Sequence, residues 1–61
     1  MTEAYKQTIR ETFDEYGAAR GFDENVANIC KLYRDGQISD DEYKELRKYN
    51  LTYYHELPLD A

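Results

Sequence analysis

The sequence predicts a small all-α protein, an antiparallel bundle of three helices. Apolar residues recur every three or four positions along three stretches, which is the period of a helix with one buried face. Turn signals separate the stretches, and connections of a few residues favour antiparallel neighbours. We therefore expect helices at about residues 3–20, 24–35 and 40–56. The 61 residues have room for one domain, residues 1–61, with an irregular tail at 57–61.

Helix one is predicted from large apolar residues at helical spacing. These are Tyr5, Ile9, Phe13 and Tyr16. Arg10 and Asp14 stand four residues apart on its polar side and can form an ion pair. Either glycine of the segment G-A-A-R-G can end this helix, so the end lies at Tyr16 or at Arg20. We favour Gly21 as the stop, which ends the helix near Arg20.

Helix two is expected to begin after Asp23, because an apolar residue, Phe22, precedes this capping carboxylate. Its inward positions are Val26, Ile29, Cys30 and Tyr33. Lys31 and Arg34 near its end suit the negative pole of the helix dipole. Gly36 follows and is expected to take the positive φ angle that ends many helices.

Helix three has the strongest start signal in the chain. Ser39 is the predicted N-cap, and Glu42, three residues later, completes a capping box. Ile38 before the cap and Tyr43 in the first turn can form a hydrophobic staple. The apolar side of the helix carries Tyr43, Leu46, Tyr49 and Tyr53.

The end of helix three has two alternatives. Asn50 can act as a C-terminal cap with Leu51 packing back against the helix. The helix can instead continue to about Glu56, until Pro58 forces Leu57 into an extended conformation. The local sequence fits both.

The composition argues against several classes of function. Thirteen acidic and eight basic residues give a net charge of −5, which disfavours direct binding to nucleic acid or to an anionic membrane. No apolar run approaches the length of a membrane span. The single cysteine, Cys30, excludes an intramolecular disulfide, and its place on the apolar stripe favours a buried, inert thiol. These features predict a cytoplasmic protein.

We predict no catalytic site, no metal site and no cofactor. His55 is the only histidine, and no nucleophile or set of ligand spacings in the sequence pairs with it or with Cys30. The stretch 35–42 matches the second half of an EF-hand calcium loop. The first and third ligand positions, however, fall on Lys31 and Tyr33, which cannot replace carboxylates. A glycine stop followed by a capping box explains the same residues.

Residues 30–51 resemble the short C-terminal domain family, SHOCT, over about a third of the chain. The residues that carry the resemblance are Leu32, Gly36, Ile38, Ser39, Glu42 and Tyr43. The family's closing run of lysine and leucines is absent here. The resemblance implies an accessory helical hairpin that mediates oligomerisation or interaction and catalyses no reaction.

Two further features predict a surface that binds another protein. In a helix, the side chains of the segment 49–57 spread over more than one face, which means either burial on two sides or an exposed aromatic patch of the kind enriched at interfaces. Helix one also carries carboxylates that helix capping does not explain, and these form either a solvated face or a surface that stands in for a phosphate backbone. The predicted partner-binding residues are Glu11, Asp14, Glu15, Tyr49, Leu51, Tyr53 and Tyr54.

Two hypotheses follow for the function. In the first, the chain is a non-enzymatic acidic interaction module that inhibits or regulates a nucleic-acid-handling protein with a basic surface. Small acidic proteins of this type occur among phage and mobile-element inhibitors, such as anti-CRISPR and DNA-mimic proteins. In the second, the chain is a self-associating, SHOCT-like structural module, a homodimer formed through the segment 49–57.

Overall fold

The computed structural model describes residues 1–58, which form three α-helices. Helix α1 spans Glu3–Tyr16, α2 spans Ala18–Arg34 and α3 spans Asp40–Glu56. Successive helices run in opposite directions, so α1 and α3 both begin at one end, where the terminal amine lies 3.1 Å from Glu42. The predicted all-α three-helix bundle is confirmed. Residues 59–61 of the predicted tail lie outside the described residues.

The core lies where the three helices face one another. Its buried apolar residues are Ile9, Phe13, Ile29, Ile38 and Leu46. The predicted inward positions Tyr16 and Tyr33 are wrong, because these side chains are 40% and 41% exposed. Tyr16 is the last residue of its helix, and Tyr33 stacks at 4.5 Å on Tyr43 at the rim of the bundle.

The junction between α1 and α2 differs from the prediction. Helix α1 ends at Tyr16 rather than near Arg20, and Gly17 alone separates it from Ala18, the first residue of α2. Gly17 has φ 86° and ψ 177°, a conformation that is essentially restricted to glycine. The chain reverses direction at this one residue.

The predicted start of α2 is also wrong. Phe22 and Asp23 lie inside the helix, so Asp23 caps nothing. Gly21, which was expected to end helix one, is buried inside α2 where the helix crosses Phe13. A Cβ added at Gly21 would lie 2.9 Å from the Phe13 Cα, so glycine serves the close approach of the two helices rather than a helix stop.

The connection between α2 and α3 agrees with the prediction. Gly36 has φ 76°, and the Gln37 N–H donates to the Leu32 carbonyl at 2.9 Å, which closes the end of α2. The capping box of α3 is complete. The Glu42 N–H donates to the Ser39 hydroxyl at 3.1 Å, and the Ser39 N–H donates to the Glu42 carboxylate at 2.8 Å.

The structure also decides between the two predicted ends of α3. The helix continues through Asn50 to Glu56, and Leu57 is extended with φ −71° and ψ 142°. An extended residue is what the following Pro58 requires. Asn50 is therefore not a cap but an interior helical residue.

Two buried asparagines join all three helices. The Asn25 side-chain amide donates to the Ile9 carbonyl and to the Asn50 side-chain oxygen, both at 3.1 Å. The Asn50 amide in turn donates to the Phe22 carbonyl at 3.3 Å. Both asparagines are at most 1% exposed. Neither asparagine was predicted to be a core residue.

Candidate protein-binding surface

The outer face of α1 is acidic. Glu11, Asp14 and Glu15 are exposed, and the helical period places them on the side of α1 that points away from Ile9 and Phe13. Glu3, one further exposed carboxylate, lies on the edge of the helix that carries Lys6 and Arg10, and its charge acts on both of these basic residues. We call Glu11, Asp14 and Glu15 the acidic α1 face.

The two basic residues of α1 do not neutralise this face, because both contact α3. Lys6 Nζ lies 2.8 Å from the Glu45 carboxylate and 5.4 Å from the centre of the Tyr49 ring. The hydrogen bond between Lys6 and Glu45 raises the pKa of Lys6 and lowers the pKa of Glu45. The Arg10 guanidinium donates to the Tyr49 hydroxyl at 2.7 Å. The predicted pair of Arg10 with Asp14 is absent among residues 1–58, since Arg10 is used in this contact.

The outer faces of α2 and α3 carry both signs of charge. On α2 the exposed charged residues are Arg20, Asp23, Glu24, Lys31 and Arg34. On α3 they include Asp40, Asp41, Lys44 and Lys48. The acidic α1 face is therefore the helix face on which the described residues carry a single sign of charge.

The aromatic residues of the predicted surface pack against the core. The Tyr53 ring centre lies 5.3 Å from that of Phe13, and the Tyr54 ring centre lies 5.0 Å from that of Phe22. Tyr49 is 6.0 Å from Tyr53. All three tyrosines are half-buried. They hold α3 against its neighbours and present only part of each ring to solvent.

The seven predicted partner-binding residues thus occupy separate places. Tyr53 and Tyr54 pack on Phe13 at the inner side of α1, and Tyr49 packs on Tyr53. Glu11, Asp14 and Glu15 lie on the outer side of α1. Leu51 is 46% exposed and projects from α3. The contacts that turn the basic residues of α1 inward could not be predicted from the sequence, because their partners are 39 residues away in the chain and no local pattern signals them.

The calcium-like segment is used for helix capping. The Ser39 N–H and the terminal ammonium group hydrogen-bond the Glu42 carboxylate and lower its pKa. Within residues 1–58, no three His, Cys, Asp or Glu side chains group as metal ligands would. The Cys30 thiol, predicted to be buried, is half-buried, with its sulfur 3.9 Å from the Tyr43 hydroxyl and 4.0 Å from Arg47.

An open groove of about 250 Å³ runs between α1 and α3. It is lined by Lys6, Glu45, Lys48, Tyr49 and Thr52.

None of the helices described for this chain combines the length and the apolar character that crossing a membrane requires. Comparison with known proteins found no family model, no curated protein and no solved structure that matches this chain.

Proposed function

We propose that this chain is a non-enzymatic protein-binding module whose acidic α1 face engages a basic surface on a protein that handles nucleic acid. One observation carries the proposal. The basic residues of α1 are bound to α3, so the exposed carboxylates of the helix form a surface of one charge. Glu11, Asp14 and Glu15 take part in no ion pair among the described residues, and Glu11 accepts one hydrogen bond, from the Gln7 side chain at 3.2 Å.

The geometry suits a surface that normally binds a phosphate backbone. From Glu11 to Glu15 the helix rises about 6 Å, at 1.5 Å per residue, so the three carboxylates form a cluster on one rigid element. Proteins bind nucleic acid chiefly through Lys and Arg side chains that neutralise phosphates. The same side chains pair with carboxylates, with geometry that favours arginine. A cluster of carboxylates can therefore occupy such a surface and exclude nucleic acid from it.

This function places the protein in the cytoplasm, where its single cysteine stays reduced and where such a partner works. It corresponds to inhibitors of the phage or mobile-element type, such as anti-CRISPR and DNA-mimic proteins. Leu51 and the exposed edges of Tyr49, Tyr53 and Tyr54 add apolar contact beside the charged surface in this proposal. The acidic α1 face supplies the charge that selects the partner.

The test compares two variants with the same change in charge. One carries Glu11→Gln, Asp14→Asn and Glu15→Gln on α1. The matched control carries Asp23→Asn, Glu24→Gln and Asp35→Asn, three exposed carboxylates outside that face. Tagged forms of both, and of the wild type, are used to capture proteins from cells that contain this protein, at about 50 mM and about 500 mM salt.

We expect the wild type and the control to capture a basic nucleic-acid-binding protein at the lower salt concentration and to lose it at the higher one. The α1 variant should fail at both. The captured protein is then purified and its binding to labelled DNA or RNA is measured with increasing amounts of the wild-type chain, which should compete. Equal capture by the two variants would refute the proposal, as would binding that ignores salt and leaves nucleic acid bound.

One observation favours the second candidate function, a self-associating SHOCT-like module. Leu51 is a large apolar side chain that is 46% exposed on α3, and interfaces between identical chains are more apolar than the remaining surface. If the chain self-associates in this way, light scattering should show that the wild type is a dimer and that the Leu51→Gln variant is a monomer. A wild-type monomer at micromolar concentration would exclude this alternative.

A further inference from the structure

The tightest connection in the molecule is the single residue between α1 and α2. Helix α1 ends at Tyr16, α2 begins at Ala18, and Gly17 between them has φ 86° and ψ 177°. An L-residue with a Cβ rarely adopts this conformation. Apart from Gly17 itself and its two chain neighbours, no atom lies within 4 Å of where a Cβ at Gly17 would be, so the glycine is needed for its backbone angles and not for space.

The charges on both sides of Gly17 oppose a helix break. Asp14 and Glu15 stand in the last turn of α1, where the helix dipole is negative and no basic residue compensates. Arg20 stands in the first turn of α2, where the dipole is positive, and no acidic residue or side-chain cap is present. In one continuous helix these three residues would be interior, and the unfavourable end effects would vanish.

The local sequence also permits a continuous helix. Tyr16 and Arg20 are four residues apart, and the guanidinium already lies 5.2 Å from the centre of the tyrosine ring, a contact that a continuous helix favours. Positions 18 and 19 are both alanine, which is the best helix-forming residue. Gly21, only four residues further on, is helical already.

We propose that Gly17 is a domain-swapping hinge through which two copies of this chain exchange α1. In the exchanged dimer, residues 3–34 of each copy form one helix. The first half of that helix packs on the α2 and α3 segments of the other copy. Every contact of α1, including Lys6 with Glu45 and Phe13 with Gly21, is remade between copies, so the exchange requires no new surface.

The glycine at position 17 holds the balance on the side of the monomer. An alanine there disfavours the φ 86° conformation and favours the helix, so both effects shift the chain towards exchange. The connection between α2 and α3 provides a contrast. Gly36 also has a positive φ of 76°, but it lies in a connection of five residues that includes the buried Ile38 and the N-cap Ser39. The basic end of α2 and the acidic start of α3 suit the break there.

The test is the molar mass of Gly17→Ala by light scattering, with Gly36→Ala as the matched control. We expect Gly17→Ala to elute at twice the monomer mass of 7.3 kDa and Gly36→Ala to remain monomeric. The exchange itself is measured with spin labels on Glu3→Cys and Lys31→Cys in a Cys30→Ser background, with labelled chains diluted in unlabelled ones. In the continuous helix the two sites are 28 residues, or about 42 Å, apart. In the monomer they lie at the same end of a bundle that is 15 Å across.

A folded, monomeric Gly17→Ala protein with the short distance would overturn the proposal. So would a dimer that keeps the short distance, since that dimer would have formed through an outer surface. If Gly17→Ala does not fold, the wild type decides after refolding from denaturant at high protein concentration. A dimer fraction with the long distance supports the hinge, and monomer alone refutes it. Neither result depends on the proposed partner, because only this chain is present.

Discussion

The buried pair Asn25 and Asn50 is the residue-scale feature that links the whole fold. Each amide is nearly inaccessible to solvent, and the Asn50 side-chain oxygen accepts its hydrogen bond from Asn25. Removal of Asn25 leaves that oxygen without its donor, and an unsatisfied buried polar group costs about 1–3 kcal/mol. We expect Asn25→Ala to lower the free energy of unfolding by about 2–3 kcal/mol, measured by urea titration.

The control for this prediction is a double-mutant cycle. Asn50→Ala leaves the Asn25 amide bonded to the Ile9 carbonyl, so it should cost less than Asn25→Ala. The double variant should be less destabilised than the sum of the single variants, because neither partner is then left alone. Strictly additive losses would show that the two asparagines act independently and contradict the network.

Acid should weaken the contacts between the starts of α1 and α3. The Ser39 N–H and the terminal ammonium lower the pKa of Glu42, and Lys6 with Thr2 lowers the pKa of Glu45. For a depressed carboxyl pKa, the stabilisation is present above the unfolded-state value of 4.5 and is lost as the pH falls through the lower folded-state value. Thermal unfolding from pH 7 to pH 2.5 should therefore show a falling midpoint. The fall should be smaller in the Glu42→Gln, Glu45→Gln variant, and an equal fall in both would contradict this assignment.

At the residue scale, local signals could be predicted and distant partners could not. The capping box of Ser39 and Glu42 depends on residues three apart, so the sequence contains all of its parts. Asn25 and Asn50 are 25 residues apart, and each alone resembles an ordinary polar position. Burial of an asparagine follows only when the facing helix supplies a partner, which a single sequence does not show.

At the scale of the helices, Gly21 sets how closely α1 and α2 approach. Alanine normally stabilises a helix interior by about 1 kcal/mol over glycine. At Gly21, however, the new Cβ would meet Phe13 backbone atoms at 2.9 Å and 3.3 Å, which cannot move as a flexible side chain would. We expect Gly21→Ala to lower the free energy of unfolding by about 1–3 kcal/mol. Denaturant titration measures it.

The matched control for Gly21 is Ala19→Gly, an exposed position in the same helix. It should cost at most about 1 kcal/mol, from helix propensity alone. A Gly21→Ala variant more stable than the wild type would show that the helices separate without penalty.

The close approach at Gly21 also explains why the junction between α1 and α2 was wrongly predicted. Two glycines stand four residues apart, and sequence alone does not tell which one ends a helix and which one admits a neighbouring backbone.

At the scale of the whole molecule, the distribution of charge is more specific than the composition. The sequence identified Glu11, Asp14 and Glu15 as carboxylates that capping does not explain, and the structure places all three in solvent. The inward turn of the basic residues of α1 could not be predicted, because Glu45 and Tyr49 become neighbours only after α3 packs beside α1. The charged residues behind the net charge of −5 are thus distributed over one uniformly acidic helix face, on α1, and two faces of mixed charge, on α2 and α3.

The position of the carboxylates of the acidic α1 face predicts that their neutralisation changes stability and partner binding in opposite directions. Asp14 and Glu15 stand at the negative end of α1, where the dipole disfavours them, and negative charges at this end are destabilising. Neutralising them together with Glu11 should raise the free energy of unfolding by about 0.5 kcal/mol. For a chain of this size, that corresponds to roughly 2–4 °C in the thermal midpoint. The same variant should lose the proposed partner. If these residues served only solubility or folding, their neutralisation would not raise stability while it abolished binding. A variant that is less stable than the wild type would therefore assign the acidic α1 face to the fold and not to a partner.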